Sequence, residues 1–250
     1  MDSIRECITT KSPLLGTFST LGSIEAVELG CHAGLDFLII DGQHGAFDLA
    51  GLREALRAMQ VTGCYPIVRL PAHGLHLVEA LLDAGYPTVM APMVNTPDDA
   101  RRLVSAAYYP PQGQRSQSSC RAGLLDSAAY RETFNQAFTL LVMIEHIDAV
   151  RRIDEILAVP GVSGCFIGPT DLASSLQAST DAILLPEAIE HVRTAALAAG
   201  KLLGIAASTV EKARQYQAQG FHYIAVSTDR RLLTNALGQL ADAWRTQVAP

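Results

Sequence analysis

The sequence predicts an α/β chain closed into a (β/α)8 TIM barrel. Three observations carry this. Short apolar runs without polar alternation recur along the chain, as in strands buried on both faces of a parallel sheet. Each run is followed by a segment of helical periodicity. Eight such units fit into 250 residues, the size of a single α/β barrel. A doubly wound open sheet is the competitor, but the chain lacks the GxGxxG turn of its dinucleotide-binding version. The expected organisation is one domain over residues 1–250, with an inserted loop at about 109–137.

The elements follow in order. The first strand is "PLLGTFS" (13–19), and its helix "SIEAVELGCHAG" (23–34) opens on an N-capping serine and closes on a C-capping glycine. The second strand, "DFLIID" (36–41), leads to "DLAGLREALRAMQ" (48–60), capped by aspartate. The third, "YPIVRL" (65–70), leads to "GLHLVEALLDAG" (74–85), again ended by glycine. The fourth, "PTVMAP" (87–92), leads to "TPDDARRLVSAAY" (96–108), with threonine at the cap and proline after it. The stretch beginning "YPPQGQRSQSSC" is read as the insertion, and loops of that length are commonly functional or contact a neighbour. The fifth strand, "FTLLVMIE" (138–145), precedes "IDAVRRIDEILAV" (147–159). The sixth, "VSGCFIG" (162–168), precedes a short helix through "DLASSL" and then "PEAIEHVRTAALAAG" (186–200). The seventh, "KLLGIAA" (201–207), and eighth, "FHYIAV" (221–226), precede "TVEKARQYQAQG" (209–220) and "TDRRLLTNALGQLADAWRTQ" (228–247).

Composition narrows the partners. Hydrophobic residues make up 49% of the chain, enough for a large core, and the net charge is −6 with no basic stripe. That disfavours nucleic acid. The start, "MDSIRECITTKSPLLG", lacks the basic and apolar regions of a secretory signal, and no apolar run approaches the roughly 20 residues of a membrane span. The five cysteines never fall in CxxC spacing. Free thiols in a reducing cytoplasm are the expectation, not a disulfide frame or a zinc site.

In this fold, active sites lie at the C-terminal ends of the strands. Strand two ends at Asp41, with Gln43 and His44 just beyond; strand three delivers Arg69, strand five Glu145, and strand six Asp171 through "FIGPTD". Glu145 and Asp171 are hard oxygen donors from adjacent strands, a pair suited to Mg2+ or Mn2+ with positions left open for substrate. Arg69 offers a planar fork that fits a carboxylate, and His44 suits a general base near neutral pH. The N–H groups of Thr170 and Asp171, opening a helix, suit an anion. A metal, an arginine and a base together suit a 2-oxo acid whose enolate needs stabilising. Blander readings stand beside these: His44 as a hydrogen-bonded loop residue, Arg69 paired with an acid across the barrel, Glu145 and Asp171 as rim acids. Asp83, in "LLDAG", reads first as an acid at a helix C-terminus, mildly unfavourable with the dipole. The hydroxyls of "AAST" and "AVSTD" read as N-caps. No lysine follows a strand, which disfavours a Schiff base.

The motifs "AGLDFLIIDGQHG", "PIVRLP", "LLDAGYPTVMAPMVNTPDDARRLVSAAYYPPQGQRS", "VMIEHIDAV" and "GVSGCFIGPTDLASSL", in this order, resemble the HpcH/HpaI aldolases over nearly the whole chain. These are metal-dependent (class II) enzymes acting on pyruvate. The resemblance implies a barrel with an exchanged C-terminal helix, assembled as a hexamer or trimer of dimers. It implies Glu145 and Asp171 as ligands of Mg2+, Mn2+ or Co2+. It implies Arg69 on pyruvate, His44 as base, and Asp83 as an acid pairing with the histidine across a subunit interface. Gly168, Pro169 and Thr170, with Asp171, would hold the carboxylate through the backbone, and Gln43 would lie at the substrate.

Three departures stand out. "DGQH" places Gln43 where the family commonly has glutamate, "PPQGQRS" has Ser116 for glycine, and "AAST" follows strand seven where relatives often carry "IAN". An amide cannot relay a proton as a carboxylate can. The expected activity is cleavage or formation of 4-hydroxy-2-oxo acids through a pyruvate enolate, from pyruvate or oxaloacetate and an aldehyde or other acceptor. The alternatives are a biosynthetic synthase of the same family, condensing citrate-like or by decarboxylation of oxaloacetate, and a non-catalytic barrel binding a metal and an oxo acid. Gln43 favours these two; His44, Arg69, Glu145 and Asp171 disfavour the last.

Overall fold

A computed structural model of the chain describes residues 4–72, 74–124, 127–180 and 182–247. Eight parallel strands pair in chain order and close on themselves: β1 (Leu14–Ser19), β2 (Phe37–Asp41), β3 (Tyr65–Arg69), β4 (Thr88–Ala91), β5 (Thr139–Ile144), β6 (Val162–Ile167), β7 (Leu202–Ala207) and β8 (Tyr223–Thr228). Every strand coincides with an apolar run of the sequence. The helices outside it are α1 (Ile4–Thr10), α2 (Ile24–His32), α3 (Leu49–Met59), α4 (Val78–Ala84), α5 (Pro97–Ala107), α6 (Ser127–Ala137), α7 (Ile147–Arg151), α8 (Ile153–Leu157), α9 (Pro169–Ala178), α10 (Leu185–Ala198), α11 (Val210–Ala218) and α12 (Asp229–Gln247). Their starts follow the local chemistry. Ser23, Asp48 and Thr209 accept N–H bonds at their helix starts, and Thr96 and Asp99 form a reciprocal capping box. Gly85 ends α4 in the left-handed region.

Two differences from the sequence reading concern helices. Residues 127–137, expected as loop, form α6, the helix that precedes β5. Its Tyr130 and Phe134, with Phe138 beyond it, stack in series, and the fully buried guanidinium of Arg115 lies 4.5 Å over Phe134 and 4.6 Å over Tyr109. The loop proper is therefore shorter, and Leu125 and Asp126 within it lie outside the described residues. The second is α1, which the sequence reading did not place.

The barrel interior holds Phe37, Ile39, Tyr65, Ile67, Leu141 and Tyr223, while a second apolar layer fills the space between strands and helices. At the N-terminal end of the strands Phe37 meets Tyr223 edge-on at 6.0 Å, and the Tyr223 hydroxyl donates to the Cys165 carbonyl at 2.8 Å. A Cβ on Gly204 would sit 2.2 Å from the Tyr223 ring, so only glycine lets that ring into the interior. Ile4 of α1, fully buried, packs onto this aromatic layer, with Cys7 and Ile8 behind it. The floor of the barrel is thereby sealed.

His222, at the start of β8, ties β7 to β8 twice: its N–H donates to the Leu203 carbonyl at 2.9 Å, and its Nδ1 accepts the Leu203 N–H at 3.0 Å. Burial holds its pKa below the ordinary 6.5. The folded chain thus binds fewer protons here than the unfolded chain. Stability from this residue is present above pH 6.5 and is lost as pH falls through 6.5 towards the depressed folded value. Urea midpoints measured from pH 7.5 to 5 are expected to fall more steeply for wild type than for His222→Gln. Parallel curves would show that the residue does not contribute.

The last helix stands apart. Along α12, Leu233, Leu237, Leu240 and Trp244 recur at helical spacing on one face, and they are 49%, 56%, 69% and 71% exposed. No helix among the described residues is long and apolar enough to cross a membrane.

Candidate active site

The C-terminal ends of the strands surround a cavity of about 320 Å³, lined by Phe18, His44, Arg69, Phe166, Asp171 and Arg230 among others. The exit of β2 builds one wall. Asp41 is fully buried, and its carboxylate accepts from the N–H groups of Gln43 (2.9 Å) and His44 (3.2 Å), fixing the turn that carries both. The same carboxylate takes a two-pronged pair from Arg69, Nε at 2.8 Å and Nη2 at 2.6 Å. Asp41 and Arg69 are register partners at the ends of β2 and β3, so the pair follows from the sheet itself. Arg69 lies 4.8 Å over the Phe18 ring and is 8% exposed. Two of its nitrogens are thus committed to protein, leaving Nη1 for a ligand oxygen.

Glu145, just past β5, is 3% exposed, and its Oε1 accepts the Met93 N–H at 2.7 Å. Met93, after β4, adopts the left-handed region at φ 56°, uncommon outside glycine and typical of strained functional turns. Burial first, and then the nearby charge of Asp171, push the Glu145 carboxyl above its ordinary value; the Met93 N–H, Arg69 and His44 act in the opposite sense. Glu145, Asp171, Arg69 and His44 therefore share one electrostatic neighbourhood.

After β6, α9 opens at Pro169. The four residues Gly168, Pro169, Thr170 and Asp171 all line the cavity. Their backbone contribution is narrower than the resemblance implies. Pro169 has no N–H to give, and the Gly168 N–H donates to the Ile144 carbonyl at 3.1 Å. Thr170 and Asp171 remain as donors at the helix start. Gly168 has another use: a Cβ there would lie 3.2 Å from Glu145 Oε2, so glycine keeps the space beside that oxygen open.

Gln43 sits on the Asp41 turn, and its side-chain Oε1 is buried without a hydrogen-bond partner among the described residues. A buried carbonyl oxygen without a partner in the protein is costly unless another group meets it. Asp83 lies elsewhere. On α4 its carboxylate is 43% exposed and accepts from Arg115 Nη2 at 2.6 Å, outside the residues that line the mouth cavity of the same protomer.

Sequence reasoning left three residues of the site unassigned. Asp41 was seen at the strand exit without its role as the partner of Arg69. Met93 carried no signal. Asp229, opening α12, accepts from the Thr20 N–H (2.8 Å), the Thr20 hydroxyl (2.6 Å) and the Leu21 N–H (3.1 Å), and so binds the helix start to the exit of β1. No group of three or more histidine, cysteine or acidic residues placed to hold a metal occurs among the described residues.

Residues 14–236 match the family model described as HpcH/HpaI aldolase/citrate lyase. The chain belongs to this family. It is accordingly an aldolase, a carbon–carbon lyase. A hydroxypyruvate/pyruvate aldolase of Deinococcus radiodurans is 35% identical over 249 residues, covering 98% of this chain and 90% of that one. A 5-keto-4-deoxy-D-glucarate aldolase of Shigella dysenteriae is 33% identical over 248 residues, with 98% and 97% covered. The crystal structure of a family protein from Burkholderia cenocepacia superposes with a TM-score of 0.90 at 34% identity, covering 98% of this chain and all of that one. The family's barrel and this chain's barrel are the same fold from end to end.

Proposed function

We propose that this aldolase is divalent-metal-dependent and cleaves or forms 4-hydroxy-2-oxo acids at a pyruvate unit in the mouth cavity. The observation carrying this reading is the convergence of Arg69, His44 and Asp171 on one cavity, with Arg69 locked by Asp41 and with the buried Glu145 within the electrostatic reach of all three. Two neighbouring carboxylates, one buried and held above its usual pKa, fit Mg2+ or Mn2+, which take few protein oxygens and keep open positions. The space beside Glu145 Oε2 preserved by Gly168 fits the same ion. When bound, the ion supplies Lewis-acid polarisation of the 2-oxo group. Arg69 Nη1 and the N–H groups of Thr170 and Asp171 bind the oxo-acid oxygens. In the cleavage direction His44 takes the 4-hydroxyl proton, the C3–C4 bond breaks, and the aldehyde departs. Arg69 holds the enolate until C3 is protonated and pyruvate leaves. The apolar side chains of Phe18, Met143 and Phe166 restrict water around the reacting carbons.

The assembled enzyme is a homo-oligomer, a hexamer or trimer of dimers, in which α12 is exchanged so that its leucine face is covered. In that arrangement Asp83 of one protomer approaches His44 of another. This fits its separation from the mouth cavity within a protomer. The enzyme acts in the cytoplasm on small oxo acids.

Two assays on one preparation test the reading. Pyruvate methyl protons are expected to exchange with deuterated water, and cleavage of a simple 4-hydroxy-2-oxo acid is expected to be slow, because the Gln43 amide cannot relay a proton. Gln43→Glu should raise cleavage by about 10-fold or more, the lower end of what one proton-transfer group contributes. Absence of both exchange and cleavage in the metal-loaded wild type would overturn the proposal. Brisk cleavage that Gln43→Glu leaves unimproved would show that the amide is no handicap.

A further inference from the structure

Two cysteines that the mouth does not use lie side by side at the N-terminal end of the barrel strands. Cys31 sits in the last turn of α2, on the face that also buries Val27, and Cys64 stands one residue before β3. Their side chains are in hydrogen-bonding contact, and both are buried, 8% and 3% exposed. Thr62 ties them together. Its hydroxyl donates to the Met59 carbonyl at 2.8 Å, accepts the Cys64 N–H at 3.2 Å and also meets the Cys31 sulfur. The next N–H, of Tyr65, donates to the Asp36 carbonyl at 2.8 Å, so the chain on the Cys64 side is fixed as well. Neither cysteine lines the mouth cavity.

The two thiols are chemically unequal. The hydrogen bond from Cys64 first, and contact with Thr62 after it, bring the Cys31 thiol down to about 7, against burial and the charge of Glu28. Cys64 moves the opposite way. As the donor of that bond, in a buried site that also feels the charge of Asp36, it keeps its proton. Near neutral pH Cys31 is thus in good part thiolate, the nucleophilic form, with a second thiol against it. Cys165, by contrast, is fully buried, its thiol is pushed up to about 12, and it stays protonated.

We propose that Cys31 and Cys64 are a reversible oxidation site: a hydroperoxide closes them into a disulfide that staples α2 to the start of β3. The Cys31 sulfur attacks the peroxide. An S–O bond forms as the O–O bond breaks, and the departing oxygen takes a proton from solvent and leaves as an alcohol or as water. Cys64 then gives up its proton and attacks the Cys31 sulfur. The S–S bond forms, the S–O bond breaks, and the hydroxyl takes the proton to leave as water. Two electrons pass from the two sulfurs to the peroxide, and a dithiol reductant returns them. In a reducing compartment the pair rests as thiols and closes only under oxidant. The cross-link spans residues 31–64, the stretch that holds β2, the Asp41 turn and α3. It lies at the end of the barrel opposite the mouth, the end associated with stability and not with chemistry. The step needs neither metal nor oxo acid.

The test treats fully reduced protein with a few equivalents of hydrogen peroxide, blocks the remaining thiols with iodoacetamide and maps the digest by mass spectrometry. The Cys31 and Cys64 peptides are expected to be joined and two hydrogens lighter, with both thiols recovered by dithiothreitol. Oxidised wild type should unfold about 5–10 °C above the reduced protein, as closing a loop of this length implies. Cys64→Ala should abolish that gain and leave Cys31 as a sulfenic acid that dimedone captures. Alkylation of Cys31 in reduced wild type should rise through pH of about 7, and the rise should move towards about 8.5, the value of a free thiol, in Cys64→Ala. Peroxide that carries wild-type Cys31 to the sulfinic acid with Cys64 still free, or that oxidises only the other three cysteines, would overturn the proposal, and wild-type mapping gives that answer whether or not the variant folds. A mapped cross-link with no rise in unfolding temperature would overturn the stapling.

Discussion

Exhaustive chelation is expected to abolish carbon–carbon cleavage, with Mg2+, Mn2+ or Co2+ restoring it. The physical ground is the pair Glu145 and Asp171. With no cation between them, a buried carboxylate faces a second negative charge, and burial and that neighbour both oppose its ionisation. Asp171→Ala removes one of the two charged ligands proposed, so Mn2+ bound at equilibrium, followed by electron paramagnetic resonance, should weaken at least about tenfold. Gly168→Ala is a subtler probe, because its methyl would enter the space 3.2 Å from Glu145 Oε2 without removing any donor. It should also loosen Mn2+. Full cleavage by protein shown to be metal-free would sink the proposed chemistry, as would a borohydride-trapped Schiff base on Lys11, Lys201 or Lys212.

The second large effect is expected from Arg69→Lys. The charge is retained, but an ammonium cannot reproduce the fork that spans both oxygens of Asp41 while offering Nη1 to a ligand. The loss is therefore double. Pyruvate exchange should fall by about two orders of magnitude, the usual cost of removing a preorganised donor at a developing oxyanion. Stability should fall too, by about 3 kcal/mol, because a fully buried carboxylate is left poorly paired. Asp41→Asn separates the two contributions. It leaves the guanidinium in place but releases it, and it weakens the acceptor that fixes the backbone of Gln43 and His44. Thermal unfolding reads the structural loss and oxalate affinity reads the ligand loss. Unchanged oxalate affinity in Arg69→Lys would confine Arg69 to its pair with Asp41.

How much of this was legible beforehand differs by element. All eight strands were, because a strand buried on both faces is an unbroken apolar run and the chain has eight. The polar residues at strand exits followed from the fold rule, hence the early naming of His44, Arg69, Glu145 and Asp171. The Asp41–Arg69 pair was not legible, since register between neighbouring strands is a property of the closed sheet. Helix α6 did carry a signal: Tyr130, Phe134 and Phe138 recur at four-residue spacing, but the proline- and serine-rich stretch before them masked it. Helix α1 is only seven residues long, too short for a periodicity to declare itself. The backbone of Met93 has no sequence signature, because nothing in "APMVN" demands a positive φ. The commitment of the Gly168 N–H to Ile144 is likewise a tertiary fact. Asp83 was named from the resemblance alone, and its pairing with Arg115 depends on a loop whose path the sequence did not give away.

The sealed floor of the barrel has a kinetic meaning. With Ile4, Phe37 and Tyr223 closing the lower end, molecules enter and leave through the mouth, where the groups proposed to hold the oxo acid stand at the strand ends. Two ligands in such a blind passage queue. With pyruvate placed as proposed, synthesis is expected to take pyruvate first and the acceptor second, and cleavage to release the aldehyde first and the pyruvate behind it last. On the proposed placement of pyruvate the expected steady state is compulsory-ordered: product inhibition should show pyruvate competing with the cleavage substrate for the empty enzyme and the aldehyde inhibiting non-competitively.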